Sequence, residues 1–190
     1  DLAMPHMPAT GVSGIDLYTR ADDGRWMFVQ NGRPGSRSNE ALFRVTPGAE
    51  CILYLPLYNG VESIELGIDR DKAVSSPAYP HGRRSKPIVF YGTSITQGGC
   101  ASRPGMACTA IVGRQLDIPV INLGFSGNGR MEPEMAELLV ELDPAVYVLD
   151  CLWNMRPADV SERVGPFVRR LRAARPNTPI LLAEDSSVGN

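Results

Sequence analysis

The 190-residue sequence predicts an α/β protein in which a β-rich segment precedes a parallel sheet with helices on its faces. Up to about residue 80, short strand-like runs are separated by glycine, proline, asparagine and aspartate. After residue 87, apolar strands alternate with helical stripes, which is the pattern of a parallel sheet covered by helices. These observations predict a partial β-sandwich domain over residues 1–80, a linker over 81–87 and an α/β domain over 88–190.

Short runs in the first region predict the strands of an antiparallel β-sandwich. They cover residues 14–18, 26–29, 41–45, 51–55 and 61–68. The last of them alternates in part between apolar and polar residues, as a strand with one solvated face does. The polar, turn-rich stretch 75–87 is typical of a junction between domains.

Apolar runs in the second region predict the strands of the parallel sheet. They cover residues 88–91, 119–123, 145–150 and 179–183. Between the later strands, apolar side chains recur at helical spacing and predict core faces of helices rather than cofactor contacts. One face consists of Met131, Met135, Leu138, Leu139 and Leu142, and the next of Val160, Val164, Phe167, Val168 and Leu171.

The composition is that of a soluble globular protein, with 43% hydrophobic and 21% charged residues. A net charge of −2 gives no reason to expect nucleic acid or an anionic membrane as partner. No apolar run is long enough to span a bilayer. The composition therefore points to neither nucleic acid nor membrane as partner, and it leaves the oligomeric state open.

The four cysteines lack the spacing of metal ligands. Cys51 and Cys151 lie in apolar runs and are predicted to be buried thiols. Cys100 and Cys108 are close enough in sequence to meet across a loop, but a reduced pair is the expectation. This use of cysteine favours a cytosolic setting.

The first strand of the second region runs into a glycine-rich loop that contains Ser94. Loops at the carboxyl ends of such strands are where open α/β sheets bind their ligands. A serine there can be a nucleophile, a phosphate contact or a helix N-cap. The G-x-S-x-G elbow of α/β-hydrolases is not matched, because Thr96 stands at its second glycine, and the lysine of a phosphate loop is absent.

Two further loops with unusual polar residues follow the second and third strands of the sheet. Residues 122–129 contain Gly127, and residues 150–155 contain Asn154. Because parallel strands end at one edge, Ser94, Gly127 and Asn154 are expected to converge there. The backbone N–H groups of Ser94 and Gly127 and the Asn154 amide are suitable donors to the oxyanion of acyl transfer.

These three loops resemble blocks of the SGNH (GDSL-type) hydrolases, which are named for Ser, Gly, Asn and His. Tyr-Gly-Thr-Ser94 is similar to the nucleophile block, Asn-Leu-Gly-Phe-Ser-Gly127 to the glycine block and Trp-Asn154 to the asparagine block. Upstream, Gly-Ile-Asp-Leu-Tyr18 resembles a motif of the β-rich domain that precedes some bacterial members. The resemblance implies a three-layer α/β/α fold and ester hydrolysis without metal or other cofactor, often the deacetylation of carbohydrates.

The sequence departs from the family pattern in two places. Thr93 stands where the nucleophile block of the family has aspartate, a change expected to be tolerated. The late Asp-x-x-His block, which by resemblance supplies the catalytic acid and base, has no counterpart before Asn190. The chain therefore resembles an internal piece of a longer protein.

Neither histidine is a good substitute for the missing base. His81 precedes the first strand and Ser94 follows it, and a strand of this length separates its ends by about 16 Å. His6 lies beside prolines in the β-rich region, where a structural role is expected. Glu184 and Asp185 end the fourth strand and can shape the site, but they lack the Asp-x-x-His context.

The residues leave several alternatives open. Gly124 competes with Gly127, since either glycine can be a packing or turn residue, and Asn154 can instead bond its own backbone. The first hypothesis for function is a serine esterase acting on acyl, in particular acetyl, esters of a small molecule or carbohydrate. The alternatives are an acyltransferase using the same serine and a catalytically incomplete ligand-binding module.

Overall fold

The computed structural model describes residues 1–76 and 86–184. The chain divides into two compact units, a first unit of residues 1–80 with 100–106 and a second unit of residues 81–99 with 107–190. The predicted linker lies mostly outside the described residues, as do His81 and Asp185. The predicted domain boundaries therefore stay predictions.

The first unit is built on an antiparallel sheet of three strands. A short helix α1 (Ala9–Val12) precedes β1 (Ile15–Arg20), β2 (Trp26–Gly32) and β3 (Cys51–Tyr54), and the strand order is β2-β1-β3. The predicted antiparallel pairing is therefore present, and the described residues of this unit form a single sheet. Segment 100–106, with a 3₁₀ turn at Pro104–Met106, belongs to this unit because it packs against β1.

Two predicted strands of the first unit do not form. Residues 41–45 and 61–68 are irregular in the structure. Most of their large apolar side chains are exposed, with Leu42 at 77% and Leu66 at 67%. Among the described residues no neighbouring strand pairs with either segment, and a strand requires such a neighbour for its backbone hydrogen bonds.

The second unit contains the predicted parallel sheet. Its strands are β4 (Ile88–Gly92), β5 (Val120–Gly124), β6 (Val146–Asp150) and β7 (Ile180–Leu182), in the order β5-β4-β6-β7. All pairs are parallel, and the predicted strands are confirmed to within two residues. Gly92 lies opposite both Gly124 and Asp150, so three strands end level with one another.

Helices cover both faces of this sheet. They are α2 (Ser94–Gln97), α3 (Cys108–Leu116), α4 (Pro133–Leu139) and α5 (Pro157–Ala174). On one face, Tyr91 and Leu149 of the sheet form a core with Leu139 of α4 and Phe167 of α5. On the other, the Asn122 amide donates to Thr109 of α3. The predicted three-layer α/β/α arrangement is confirmed.

Some details of the predicted core are corrected. Leu138 is exposed because α4 is short and turns only part of the predicted face inward. Met131 is buried but precedes the helix, with a φ of 54°. Cys151 is buried as predicted, whereas Cys51 is exposed on an outer strand, and all four cysteines are free thiols. Among the described helices, none combines the length and apolar character needed to cross a membrane.

Candidate active site

Ser94 is the first residue of α2, directly after the turn that ends β4. The helix is capped by Thr93, whose Oγ1 accepts from the backbone N–H of Ile95 at 3.3 Å. Because threonine and aspartate are both good N-caps, Thr93 performs a capping role that an aspartate can also perform. Ser94 is a partly exposed residue, and its hydroxyl has no hydrogen-bond partner within residues 1–76 and 86–184. Thr93, not Ser94, is therefore the structural cap.

Thr96 connects the serine loop to the end of β6. Its Oγ1 donates to Oδ2 of Asp150 at 2.7 Å, and the backbone N–H of Thr93 donates to the Asp150 carbonyl at 3.2 Å. A Cβ on Gly92 would lie 2.1 Å from Thr96 Oγ1, so Gly92 is required for this close approach. The departure from G-x-S-x-G thus has a structural reason, since the Thr96 hydroxyl holds the loop to Asp150.

Gly127 occupies a tight turn after β5. The Asn128 N–H donates to the Phe125 carbonyl at 3.0 Å, and Gly127, the third residue of the turn, has a φ of +74°. A positive φ of about 80° at this position defines a type II turn and favours glycine. The backbone N–H groups of Phe125, Ser126 and Asn128 all have acceptors, whereas that of Gly127 has none within the described part of the chain.

The glycine loop is hydrogen-bonded on both sides of the serine. The Phe125 N–H donates to the Gly92 carbonyl at 2.9 Å, and the Ser126 N–H donates to Gln97 Oε1 at 2.8 Å. A Cβ on Gly124 would lie 2.0 Å from the Gln97 backbone nitrogen, so a side chain does not fit at this position. Gly124 therefore serves the close packing of β5 against α2. No neighbour lies within 4 Å of a Cβ built on Gly127, so that position is open.

Asn154 ends the 3₁₀ turn Leu152–Asn154 that follows β6. Its side-chain Nδ2 donates to the Asn128 carbonyl at 2.6 Å, rather than to the backbone of its own loop. The bond joins the third loop to the glycine loop. An amide nitrogen has two N–H donors, so one remains for another acceptor. The loops of Ser94, Gly127 and Asn154 are therefore connected by hydrogen bonds at one edge of the sheet, while the catalytic roles of these residues stay predictions.

Charged and titratable groups surround the glycine loop. Arg130 Nη2 donates to the Gly127 carbonyl at 2.9 Å. Glu132 Oε2 accepts from the Tyr91 hydroxyl and from the Arg130 N–H, and burial together with this hydrogen bond raises the pKa of Tyr91. Burial, reinforced by the charge of Asp150, raises the pKa of Cys151 to about 12. Cys151 is therefore a neutral thiol at pH 7 and does not compete with serine as a nucleophile.

A catalytic base for Ser94 is not among the described residues of the second unit. The sequence contains histidine at positions 6 and 81, and none between 86 and 184. His6 is an exposed residue in the tight turn between Met4 and Met7 of the first unit. Glu184 is exposed two residues beyond β7 and forms no hydrogen bond with Ser94.

Sequence reasoning missed Thr96, Gln97 and Asp150, whose hydrogen bonds assemble the loops. The signal for Asp150 is a carboxylate at the end of an otherwise apolar strand, VYVLD. Thr96 is a fully buried residue two positions after the serine, and the burial of its hydroxyl requires a partner. Gln97 gives no signal in the sequence, because its partner is a backbone N–H of another loop.

Comparison with known proteins agrees with this geometry. Residues 85–190 match the sequence profile of the GDSL-like lipase/acylhydrolase family, and residues 1–74 match that of the N-terminus of SGNH hydrolase-type esterases. A crystal structure from Bacteroides ovatus ATCC 8483, described as that of a GDSL-like lipase, is similar with 40% sequence identity and a TM-score of 0.84. No curated protein matches the chain at a significant level.

The first match covers more than half of the chain, and the chain therefore belongs to the GDSL-like lipase/acylhydrolase family. The resemblance to SGNH hydrolases found in the sequence is confirmed. The structural match covers 94% of this chain and 53% of the Bacteroides chain, so this chain spans about half the length of that protein.

Proposed function

We propose that the whole protein is a serine esterase that hydrolyses acyl, in particular acetyl, esters of a small molecule or carbohydrate. One observation carries the proposal. The partly exposed residue Ser94 lies in the chain between Gly92, whose carbonyl accepts the Phe125 N–H, and Gln97, whose side-chain Oε1 accepts the Ser126 N–H. Within the described residues the Ser94 hydroxyl and the Gly127 N–H have no partner, and a free serine hydroxyl beside a free N–H is the arrangement that acyl transfer needs.

In the proposed reaction, Ser94 Oγ bonds to the ester carbonyl carbon while a base takes its proton. The negative charge that develops on the carbonyl oxygen is stabilised by the N–H groups of Ser94 and Gly127 and by the free amide N–H of Asn154. Collapse of this intermediate breaks the bond to the alcohol, which leaves with a proton from the base. Water then attacks the acyl-serine, releases the acid and restores Ser94.

The three donors differ in how the fold prepares them. The Ser94 N–H is the first of α2, so no residue of the helix accepts it. The Gly127 N–H belongs to the central peptide of its turn, which takes no part in the turn hydrogen bond. The Asn154 amide is held by its bond to Asn128. All three are fixed before substrate arrives, and donors fixed in this way stabilise a developing charge at no cost in reorganisation.

Full-length protein assayed with 4-nitrophenyl acetate tests the proposal. Ser94→Ala should abolish turnover, and a fluorophosphonate probe should label the Ser94 peptide in a one-to-one ratio, as read by mass spectrometry. Ser161→Ala is the matched control, because Ser161 is an exposed serine on α5 whose hydroxyl bonds Pro157. Ser94→Ala protein that keeps its circular dichroism and its turnover would overturn the proposal.

The two alternative functions give different results in the same assay. An acyltransferase would form the same acyl-serine but would turn over faster when an alcohol such as glycerol is added, with the acetylated alcohol as product. A ligand-binding module would show neither turnover nor labelling at Ser94. The Ser94 hydroxyl, which has no hydrogen-bond partner in the described part of the chain, favours the two enzymatic functions over the binding module.

A further inference from the structure

The side chain of Gln97 joins the helix that carries Ser94 to the turn that carries Gly127. Its Oε1 accepts the Ser126 N–H at 2.8 Å. Only the amide oxygen can accept a hydrogen bond, so the orientation of the side chain is fixed by this contact. The Gln97 backbone is itself held, because its N–H donates to the Thr93 carbonyl at 3.0 Å.

The hydrogen bond from the Ser126 N–H to Gln97 limits the conformational freedom of the turn that contains Gly127. Ser126 and Gly127 are the two central residues of the turn closed by the Asn128 N–H and the Phe125 carbonyl. The bond to Gln97 fixes the peptide plane that enters the turn, and the bond of the Phe125 N–H to Gly92 fixes the plane before it. The direction of the next N–H, that of Gly127, follows from these two planes.

We infer that Gln97 is a positioning residue for the Gly127 oxyanion donor, an inference that rests on the proposed function. Ser94 and Gln97 begin and end the same four-residue helix, α2. A single helical turn therefore carries both the nucleophile and the acceptor that holds the oxyanion turn. Any movement of α2 moves both together, which preserves the distance between the attacking oxygen and the donor.

This role differs from that of the three family blocks. Gln97 does not touch the reacting atoms, and its contribution is to keep the Gly127 N–H at one position. A misplacement of about 1 Å in a catalytic group can reduce a rate by roughly 100-fold. A single hydrogen bond between neutral groups contributes little to the stability of a whole fold, so loss of the contact should affect turnover more than stability.

Two substitutions in the full-length protein distinguish the effect of the acceptor oxygen of Gln97 from the effect of its side-chain size. Gln97→Met keeps the length but removes the acceptor, and Gln97→Glu keeps an acceptor oxygen. Gln115→Met is the matched control, because Gln115 is exposed on α3. The readouts are kcat and KM on 4-nitrophenyl acetate and the hydrogen-exchange rate of the Ser126 amide, measured by NMR.

Gln97→Met should lower kcat by about 10- to 100-fold with KM changed less than twofold, because the donor matters once charge develops. The Ser126 amide should exchange faster in Gln97→Met and remain slow in Gln97→Glu. A purely structural role of Gln97 would change KM and stability along with kcat. If Gln97→Met fails to fold, fast Ser126 exchange in Gln97→Glu would count against the inference and slow exchange would support it.

The failures of the two proposals can be told apart. Unsubstituted protein without Ser94-dependent turnover would overturn the proposed function and this inference with it. Ser94-dependent turnover that is equal in Gln97→Met and Gln115→Met would overturn the inference alone.

Discussion

Nη1 of Arg103 donates a hydrogen bond of 2.8 Å to Oδ2 of Asp16, a carboxylate that is 0% exposed. The same oxygen accepts the Gly105 N–H at 2.8 Å, and the other accepts the Asn31 amide at 2.8 Å. The Arg103 guanidinium lies over the Phe28 ring, 3.8 Å from its centroid. Asp16, the aspartate of the Gly-Ile-Asp-Leu-Tyr18 motif, therefore binds segment 100–106 to the sheet of the first unit.

Removing the arginine should destabilise the protein strongly. Arg103→Met leaves the Asp16 charge buried without a countercharge, and breaking a buried pair in this way costs about 3 to 5 kcal/mol. The control is Arg37→Met, which breaks an exposed pair with Glu62 and should cost less than about 1 kcal/mol. Urea unfolding monitored by circular dichroism gives both values. Equal losses in the two variants would contradict a structural role for the buried pair.

The Glu132 carboxylate should make stability depend on pH in the acid range. Burial alone would raise the pKa of Glu132, but hydrogen bonds from the Tyr91 hydroxyl and from backbone N–H groups outweigh it and the pKa is lowered. The folded state then binds the proton less tightly than the unfolded state, in which the pKa of glutamate is about 4.3. The stabilisation is complete above that pH and is lost as pH falls through the lowered folded pKa.

Glu132→Gln removes this dependence. Between about pH 5 and pH 3, the free energy of unfolding should fall less steeply in Glu132→Gln than in the unsubstituted protein. Glu134→Gln, at an exposed position in the first turn of α4, should follow the unsubstituted protein. The measurement is urea unfolding at a series of pH values. Parallel curves for all three proteins would show that Glu132 does not contribute.

The parallel sheet was predictable because its strands appear as continuous apolar runs, and the two central strands, β4 and β6, are mostly buried. β4 shows this most clearly, with four of its five residues buried. The first unit was harder, because residues 41–45 and 61–68 have the composition of strands but expose most of their large apolar side chains. Whether an apolar run forms a strand depends on a neighbouring strand, which its own sequence does not reveal.

The sequence was sufficient to predict which loops form the candidate site, but not the contacts between them. Ser94, Gly127 and Asn154 each follow a strand end, and the level ends of β4, β5 and β6 are what bring their loops together. The contacts that assemble those loops could not be read from the sequence. The bond of Gln97 to Ser126 connects residues 29 positions apart and that of Asn154 to Asn128 residues 26 positions apart, and each depends on the folded backbone.

Loss of the Asn154 amide should slow the chemical step specifically. In the complete protein, Asn154→Ala is expected to lower kcat by roughly 10²- to 10³-fold with little change in KM, the usual effect of losing one oxyanion donor. Asn177→Ala is the control, since Asn177 is exposed in the turn after α5. Steady-state turnover of 4-nitrophenyl acetate measures both constants. An unchanged kcat would remove Asn154 from the mechanism.

Residues 1–190 alone should be almost inactive on an activated acetyl ester. A serine hydroxyl is a poor nucleophile until a base takes its proton. No histidine lies between residues 86 and 184, and His6 is an exposed turn residue of the first unit. Without a base, only the residual catalysis of the oxyanion donors and of substrate binding remains.

A longer chain that continues beyond residue 190 with an Asp-x-x-His block should restore activity, because its histidine can accept the Ser94 proton. The measurement compares the steady-state turnover of the two chains, with Ser94→Ala in the longer chain as the blank. Full turnover by residues 1–190 would mean that another base serves Ser94, and His81→Ala would then be the first variant to assay. A longer chain that is folded, carries the histidine and remains inactive would favour the ligand-binding module over the esterase.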